Sequence, residues 1–169
     1  MSETDLFYRL RPQPATPADE ICSCPDSTPF VLMSALSANP VHCLRCNLEV
    51  PLRRLVFSDV RLVDQIADWN SVWSALDRLW LDSGAYENFA RGEMERLDSS
   101  ANAQGLAAAA RLRDFHPTFY HAFRDESNGD VPVPKICPGC ERDLRPVSGS
   151  NPSRAVCDRC YLAVFVIAP

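Results

Sequence analysis

The chain has 169 residues, 46% hydrophobic and 23% charged, with a formal net charge of −5, which bounds it to one domain of ordinary size or two small ones. No apolar run approaches the roughly 18 residues a membrane-spanning helix needs, and the opening segment lacks the basic and apolar regions of a secretory signal. A cytoplasmic protein is therefore expected, in a compartment where thiols stay reduced and structural disulfides are rare.

Residues 1–19 read as a proline-rich N-terminal extension carrying Pro12, Pro14 and Pro17. Residues 20–57 read as a first cysteine-bearing unit, in which Cys22, Cys24, Cys43 and Cys46 form a C-x-C-x18-C-x2-C pattern. The segment "FVLMSAL" before its second pair and "LEVPLRRLVF" after it are expected strands. Asn47 follows the second pair and tolerates the left-handed backbone that a tight turn requires. His42 adjoins Cys43 and is expected to be a partly exposed polar residue, with replacement of a weak ligand as the less favoured alternative.

Residues 58–134 change to a helical pattern followed by a strand. Leu62, Ile66, Trp69, Trp73, Leu76 and Trp80 step by four and three along one apolar stripe, with Gly84 suited to stop the helix. A second helix is expected over "AYENFARGEMERLDS", with Tyr86, Phe89, Ala90, Met94 and Leu97 as its apolar stripe and Gly92 weakening it. A third follows over "SSANAQGLAAAARLRDF", capped by Ser99 or Ser100. His116-Pro117 ends the helical run, "TFYHAF" follows as a strand, and over "HPTFYHAF" read as extended the odd offset puts His116 and His121 on opposite faces. Aromatics at helical spacing belong more often to a core than to a binding groove, so the three tryptophans are expected inside. Asp125-Glu126 reads as part of a solvated turn, and nothing along this stretch proposes a catalytic site.

Residues 135–169 hold the clearest pattern. Cys137, Cys140, Cys157 and Cys160 form C-x2-C-x16-C-x2-C, within the spacing of a zinc site built from four cysteines. Two residues between thiolates let a tight turn aim both sulfurs at one ion, and two such turns complete a tetrahedron with Zn–S near about 2.3 Å. "SGSNPS" is the loop between the pairs, and "YLAVFVIAP" the closing strand. The expectation is two structural zinc ions, one on each set. The tighter C-x-C pair leaves open the alternative that the first set is degenerate. A site filled by four cysteines has no open position for water, so neither is expected to be catalytic. The fold class expected is α+β, with two zinc-ribbon-type β elements at the chain ends packed on a central helical segment in one compact domain.

The order "EICSCPDSTPFVLMSAL", "HCLRCNLEVPLRRL", "WNSVWSALDRLWLDSGAYENFA", "HPTFYHAFRD", "KICPGCERDL", "CDRCYL" resembles a bacterial family of Zn-ribbon-containing proteins with a suggested nucleic-acid-binding role, a domain-of-unknown-function family. The likeness spans residues 20 to about 163. It implies that all eight cysteines are ligands, and it places Glu141 where that family usually has glycine, a departure expected to strain the turn.

Charge weighs the functions. Eight thiolates and two zinc ions would take the formal −5 to −9. Residues 135–169 hold five basic and three acidic residues, and residues 59–114 ten acidic and six basic. Nucleic-acid affinity comes largely from neutralising phosphate, and little is available here. Arg53, Arg54, Arg142, Arg145, Arg154 and Arg159 flank the cysteines, where local balance of thiolate charge is the plainer role. The expected function is non-enzymatic: a zinc-binding protein that acts by binding another protein, a basic toxin neutralised by an immunity protein being one form. Nucleic-acid binding is the alternative. Neither a membrane nor a small-molecule substrate is expected.

Overall fold

The computed structural model describes residues 5–34, 37–57, 59–126 and 133–166. Expected features at Ala35 and Leu36, in 127–132 and in 167–169 lie outside the described residues.

The strands are β1 (Phe30–Leu32), β2 (Val41–Cys43), β3 (Thr118–His121), β4 (Arg145–Pro146), β5 (Arg154–Cys157) and β6 (Leu162–Phe165), and the helices α1 (Val60–Asp82), α2 (Glu87–Glu95) and α3 (Ser100–Arg113). Short strands flanked by turns on each side of the helical block make this an α+β fold. The six strands form one sheet in the order β2-β1-β3-β6-β5-β4. The first cysteine unit supplies the antiparallel β1–β2 pair, and the second supplies β4–β5–β6, also antiparallel. Between them runs β3, parallel to β1 through Phe30↔Thr118 and to β6 through Tyr120↔Leu162. The "TFYH" segment is thus the seam joining the two ribbon-like ends.

The period-two alternation of a strand divides the sheet into two faces. Phe30, Leu32, Tyr120, Leu162 and Val164 join the main core with the helices, while Val31, Phe119, Val156 and Ala163 form a smaller cluster with Leu44. On the helical face Trp69 and Trp73 are 1% and 5% exposed, with Trp69 5.8 Å from Trp73 and 5.7 Å from the Tyr120 ring. Trp80 is half-buried against Phe123, ring centroids 5.3 Å apart. The indoles belong to the core. Gly105 makes this approach possible, because a Cβ there would stand 2.4 Å from Tyr120 Cε2 and 2.5 Å from Trp69 Nε1, closer than atoms pack.

Helix ends follow their caps. Asp59 accepts from the Arg61 N–H at 3.0 Å, and Ser99 accepts from Asn102 N–H at 3.1 Å, each satisfying a donor the first turn leaves free. Gly84 sits at φ +58 after α1. Asn102, wholly buried, ties three elements together: its amide donates to the carbonyls of Glu93, Met94 and Arg96 at the end of α2, and its Oδ1 accepts from Tyr120 OH at 2.7 Å. The N-terminal extension docks on α1, with Leu10 fully buried and Arg9 paired to Asp64 at 3.0 Å and Asp68 at 2.6 Å.

Three expectations are corrected. "LEVPLRRLVF" forms only isolated bridges from Glu49 to Ile21 and His42 and then a 3-10 turn over Leu52–Arg54, because Pro51 lacks the N–H a ladder needs. Tyr86 and Phe89 are 62% and 60% exposed. Tyr86 stands outside the helix as the N-cap of α2, and the buried stripe narrows to Ala90 and Met94. Asp125 is not a solvated turn residue: its carboxylate is 7% exposed, pairs with Arg91 at 3.5 Å, and its N–H donates to Glu95 Oε1.

Candidate metal centres

Each cysteine set converges in space. The four sulfurs of Cys22, Cys24, Cys43 and Cys46 lie within 4.8 Å of one another, as do those of Cys137, Cys140, Cys157 and Cys160. A tetrahedral ion with Zn–S near 2.3 Å sets its sulfurs about 3.8 Å apart, and Cys140 Sγ to Cys157 Sγ is 3.6 Å. In both groups the first cysteine of each pair is buried and the second half-buried. The donor set and spacing fit a metal ion at each centre.

Local backbone explains how the sulfurs are aimed. Cys43 and Cys157 end strands, and each pair's turn directs N–H groups at a sulfur: Cys24 N to Cys22 Sγ at 3.4 Å, Gly139 N to Cys137 Sγ at 3.3 Å, and Cys160 N to Cys157 Sγ at 3.4 Å. The residue after each C-x2-C pair takes left-handed backbone: Asn47 at φ 62, Glu141 at 58 and Tyr161 at 54. The expected strain at Glu141 is present, and Tyr161 shares it. The C-x-C pair has no such residue, so its turn is of a different kind.

Burial and hydrogen bonding shape the thiols. Burial pushes Cys46 and Cys22 above the ordinary thiol value. Cys43, although burial also pushes it up, ends below it because backbone N–H groups of Cys46 and Arg45 point at its sulfur. Cys140 is drawn down to about 7, chiefly by the Arg142 backbone N–H, while Cys160 is raised to about 12 by burial and its neighbouring sulfurs. Four sulfurs this close cannot all hold negative charge without a cation among them. A metal ion at each centre could hold all four as thiolates.

Two arginines turn toward the first centre. Arg54 is 9% exposed; its Nη1 donates to Cys22 Sγ at 3.5 Å and its Nη2 to the carbonyls of Pro25 and Asp26, while Nε meets the Asp26 carboxylate at 3.0 Å. Arg154 comes from the opposite ribbon. It is 2% exposed, lies over the Phe165 ring at 4.6 Å, and donates through Nη2 to Asn47 Oδ1. Its Nε and Nη1 have no hydrogen-bond partner among the described residues. Burial lowers its pKa to about 10, against the pull of Cys43 and Cys46. Arg145 instead makes a two-pronged surface pair with Asp158, both bonds 2.7 Å, and Arg53, Arg142 and Arg159 are exposed.

The histidines stand outside both groups. His42 Nδ1 lies 2.7 Å from the Asn47 carbonyl, a bond in which the ring is the donor, so it braces the turn and does not replace a cysteine. His116 Nε2 reaches the Thr28 carbonyl at 2.9 Å and stacks on Phe30. His121 packs on Phe165, and burial holds its pKa down to about 3. The sequence pattern found all eight sulfurs. It gave no sign that Arg154 crosses between ribbons, since no local spacing encodes a contact made only when β3 brings the two ends together.

No helix among the described residues is long and apolar enough to cross a membrane. No curated protein and no solved structure matches the chain. A family model covers residues 28–123, which takes in β1 to β3, the three helices and the Cys43–Cys46 pair, and leaves out the first pair and the whole second ribbon. The chain belongs to that family, whose description is a domain of unknown function, DUF2310, and names no ligand or activity.

Proposed function

We propose that the chain is a non-enzymatic zinc protein in which two structural ions fasten the ribbon-like ends, and that it acts by binding another protein. The observation that carries the metal reading is the convergence of each cysteine set, its four sulfurs within 4.8 Å of one another. Arg154 adds to it, since a guanidinium 2% exposed with two nitrogens unpartnered among the described residues is costly unless an anionic centre lies nearby. A zinc tetrathiolate, net −2, is such a centre, and Cys43 and Cys46 are close enough to act on that charge. Zinc is the ion that four thiolates in a closed tetrahedron favour. Filled coordination leaves no position for a substrate, which supports a structural role. Reduced thiolates require a reducing compartment such as the cytoplasm.

Protein binding is favoured over nucleic-acid binding by where the arginines go. Arg54 and Arg154 are buried and Arg145 is paired with Asp158, so half of the six arginines flanking the centres are engaged within the chain. Phosphate neutralisation then has little to draw on in a molecule of formal charge −5. A basic protein is the partner that acidic charge would steer, a neutralised toxin being one form. The test is a titration of zinc-loaded protein with generic single- and double-stranded DNA and RNA at physiological salt. Binding weaker than micromolar is expected. Nanomolar binding abolished by alanine at Arg53, Arg142 and Arg159 would replace this reading with the nucleic-acid one.

A further inference from the structure

The corner between α1 and α2 presents three large apolar side chains to solvent within nine residues. Leu81 is 63% exposed, Tyr86 62% and Phe89 60%. Among the described residues neither Tyr86 nor Phe89 stacks on another ring. Phe89 and Gly92 are three apart and so neighbours on one face of α2. A Cβ at Gly92 meets nothing within 4 Å among the described residues, so their packing does not require glycine there. Glycine in a helix interior is nonetheless less favourable than alanine. A protruding ring beside a missing side chain makes a knob next to a hollow.

The surroundings are acidic. Across residues 77–98 stand Asp77, Asp82, Glu87, Glu93, Glu95 and Asp98 against Arg78, Arg91 and Arg96. Two of those arginines are engaged within the chain, Arg91 with Asp125 and Arg96 with Glu93. Two copies of so acidic a corner would repel, which argues against self-association through it. A cationic partner would be drawn to it, with apolar anchors covering Phe89 and entering beside Gly92.

We infer that the α1–α2 corner is the docking surface for a basic amphipathic helical segment of another protein, seated on Leu81, Tyr86 and Phe89 with its closest approach at Gly92. This rests on the protein-binding reading and gives that reading a place and a partner chemistry.

The test uses the zinc-loaded full chain and a fluorescent eighteen-residue lysine–leucine amphipathic peptide, with a lysine–serine peptide of equal charge as control. Anisotropy measures affinity, and amide chemical-shift mapping locates the contact. Binding by the amphipathic peptide at least about tenfold tighter than the control is expected, with shifts centred on residues 81–92. Phe89→Ser should weaken it about tenfold without lowering thermal stability, because the ring is exposed. Gly92→Ala carries opposite signs in two readouts: it should raise the melting temperature and weaken peptide binding at least about threefold. Equal binding of both peptides, or Gly92→Ala leaving affinity unchanged, would overturn the inference. So would dimerisation through this corner in sedimentation velocity. Shifts centred on the ribbons would overturn this surface while leaving protein binding standing. Nucleic acid bound where neither peptide binds would overturn both.

Discussion

Arg154 carries its charge into the protein, 2% exposed and with no ion pair to a carboxylate among the described residues, and an anionic zinc centre at the first cysteine set would make that tolerable. With zinc bound, the guanidinium balances part of a −2 centre; without it, the same charge is buried with two unpartnered nitrogens. Arg154→Met should therefore reduce the stabilisation that zinc confers by about 1–3 kcal/mol, while leaving the chelator-treated chain equally or more stable. Thermal unfolding of reduced protein with and without chelator reads both quantities. An equal loss in the two conditions would show that Arg154 contributes packing alone. Gly105 is the second residue with an outsized role. Gly105→Ala must displace Trp69 or Tyr120, since its Cβ would lie 2.4 Å from the Tyr120 ring. Overpacking of this kind costs about 1–3 kcal/mol or more, measurable by urea denaturation, whereas Gly92→Ala, with open space around it, should stabilise. The sequence alone did not separate these two helix glycines, because what distinguishes them is a neighbour from another element.

Among the elements, the metal turns repeat one device with unequal fidelity. Asn47, Glu141 and Tyr161 all take left-handed backbone after the second cysteine of a pair, and only asparagine of the three adopts it readily. Glu141→Gly should stabilise the second ribbon by about 1 kcal/mol, because Glu141 is exposed and only the strain is removed. Tyr161→Gly should not. That ring lies under Arg113 at 4.2 Å and near Phe119 at 6.0 Å, contacts that offset the strain. Chemical denaturation of the two variants tests the contrast. At this scale the sequence was most informative where period and spacing are strict: the α1 stripe, the serine cap of α3 narrowed to Ser99 or Ser100, the C-x2-C turns and the strand after Pro117. It was least informative at "LEVPLRRL", where apolar residues suggested a strand but Pro51 removed the donor. The apolar letters of α2 likewise did not distinguish an anchor left outside, Phe89, from one buried, Met94.

Over the whole molecule, the central feature is one sheet made from two ends of the chain. β3 pairs with β1 on one side and β6 on the other, so each cysteine cluster lies in a ribbon whose inner strand is already held by the seam. The cysteine spacing made both centres legible, whereas the shared sheet was not, because strand order across a hundred residues leaves no local mark. The proposed function requires two ions held by eight thiolates. Native mass spectrometry of the reduced, purified chain, with the thiols alkylated and counted after acid unfolding, tests this most directly. Two zinc ions per folded chain and eight free thiols after unfolding are predicted. One zinc or fewer in protein loaded with excess metal, or any disulfide between the cysteines of a group, would contradict it.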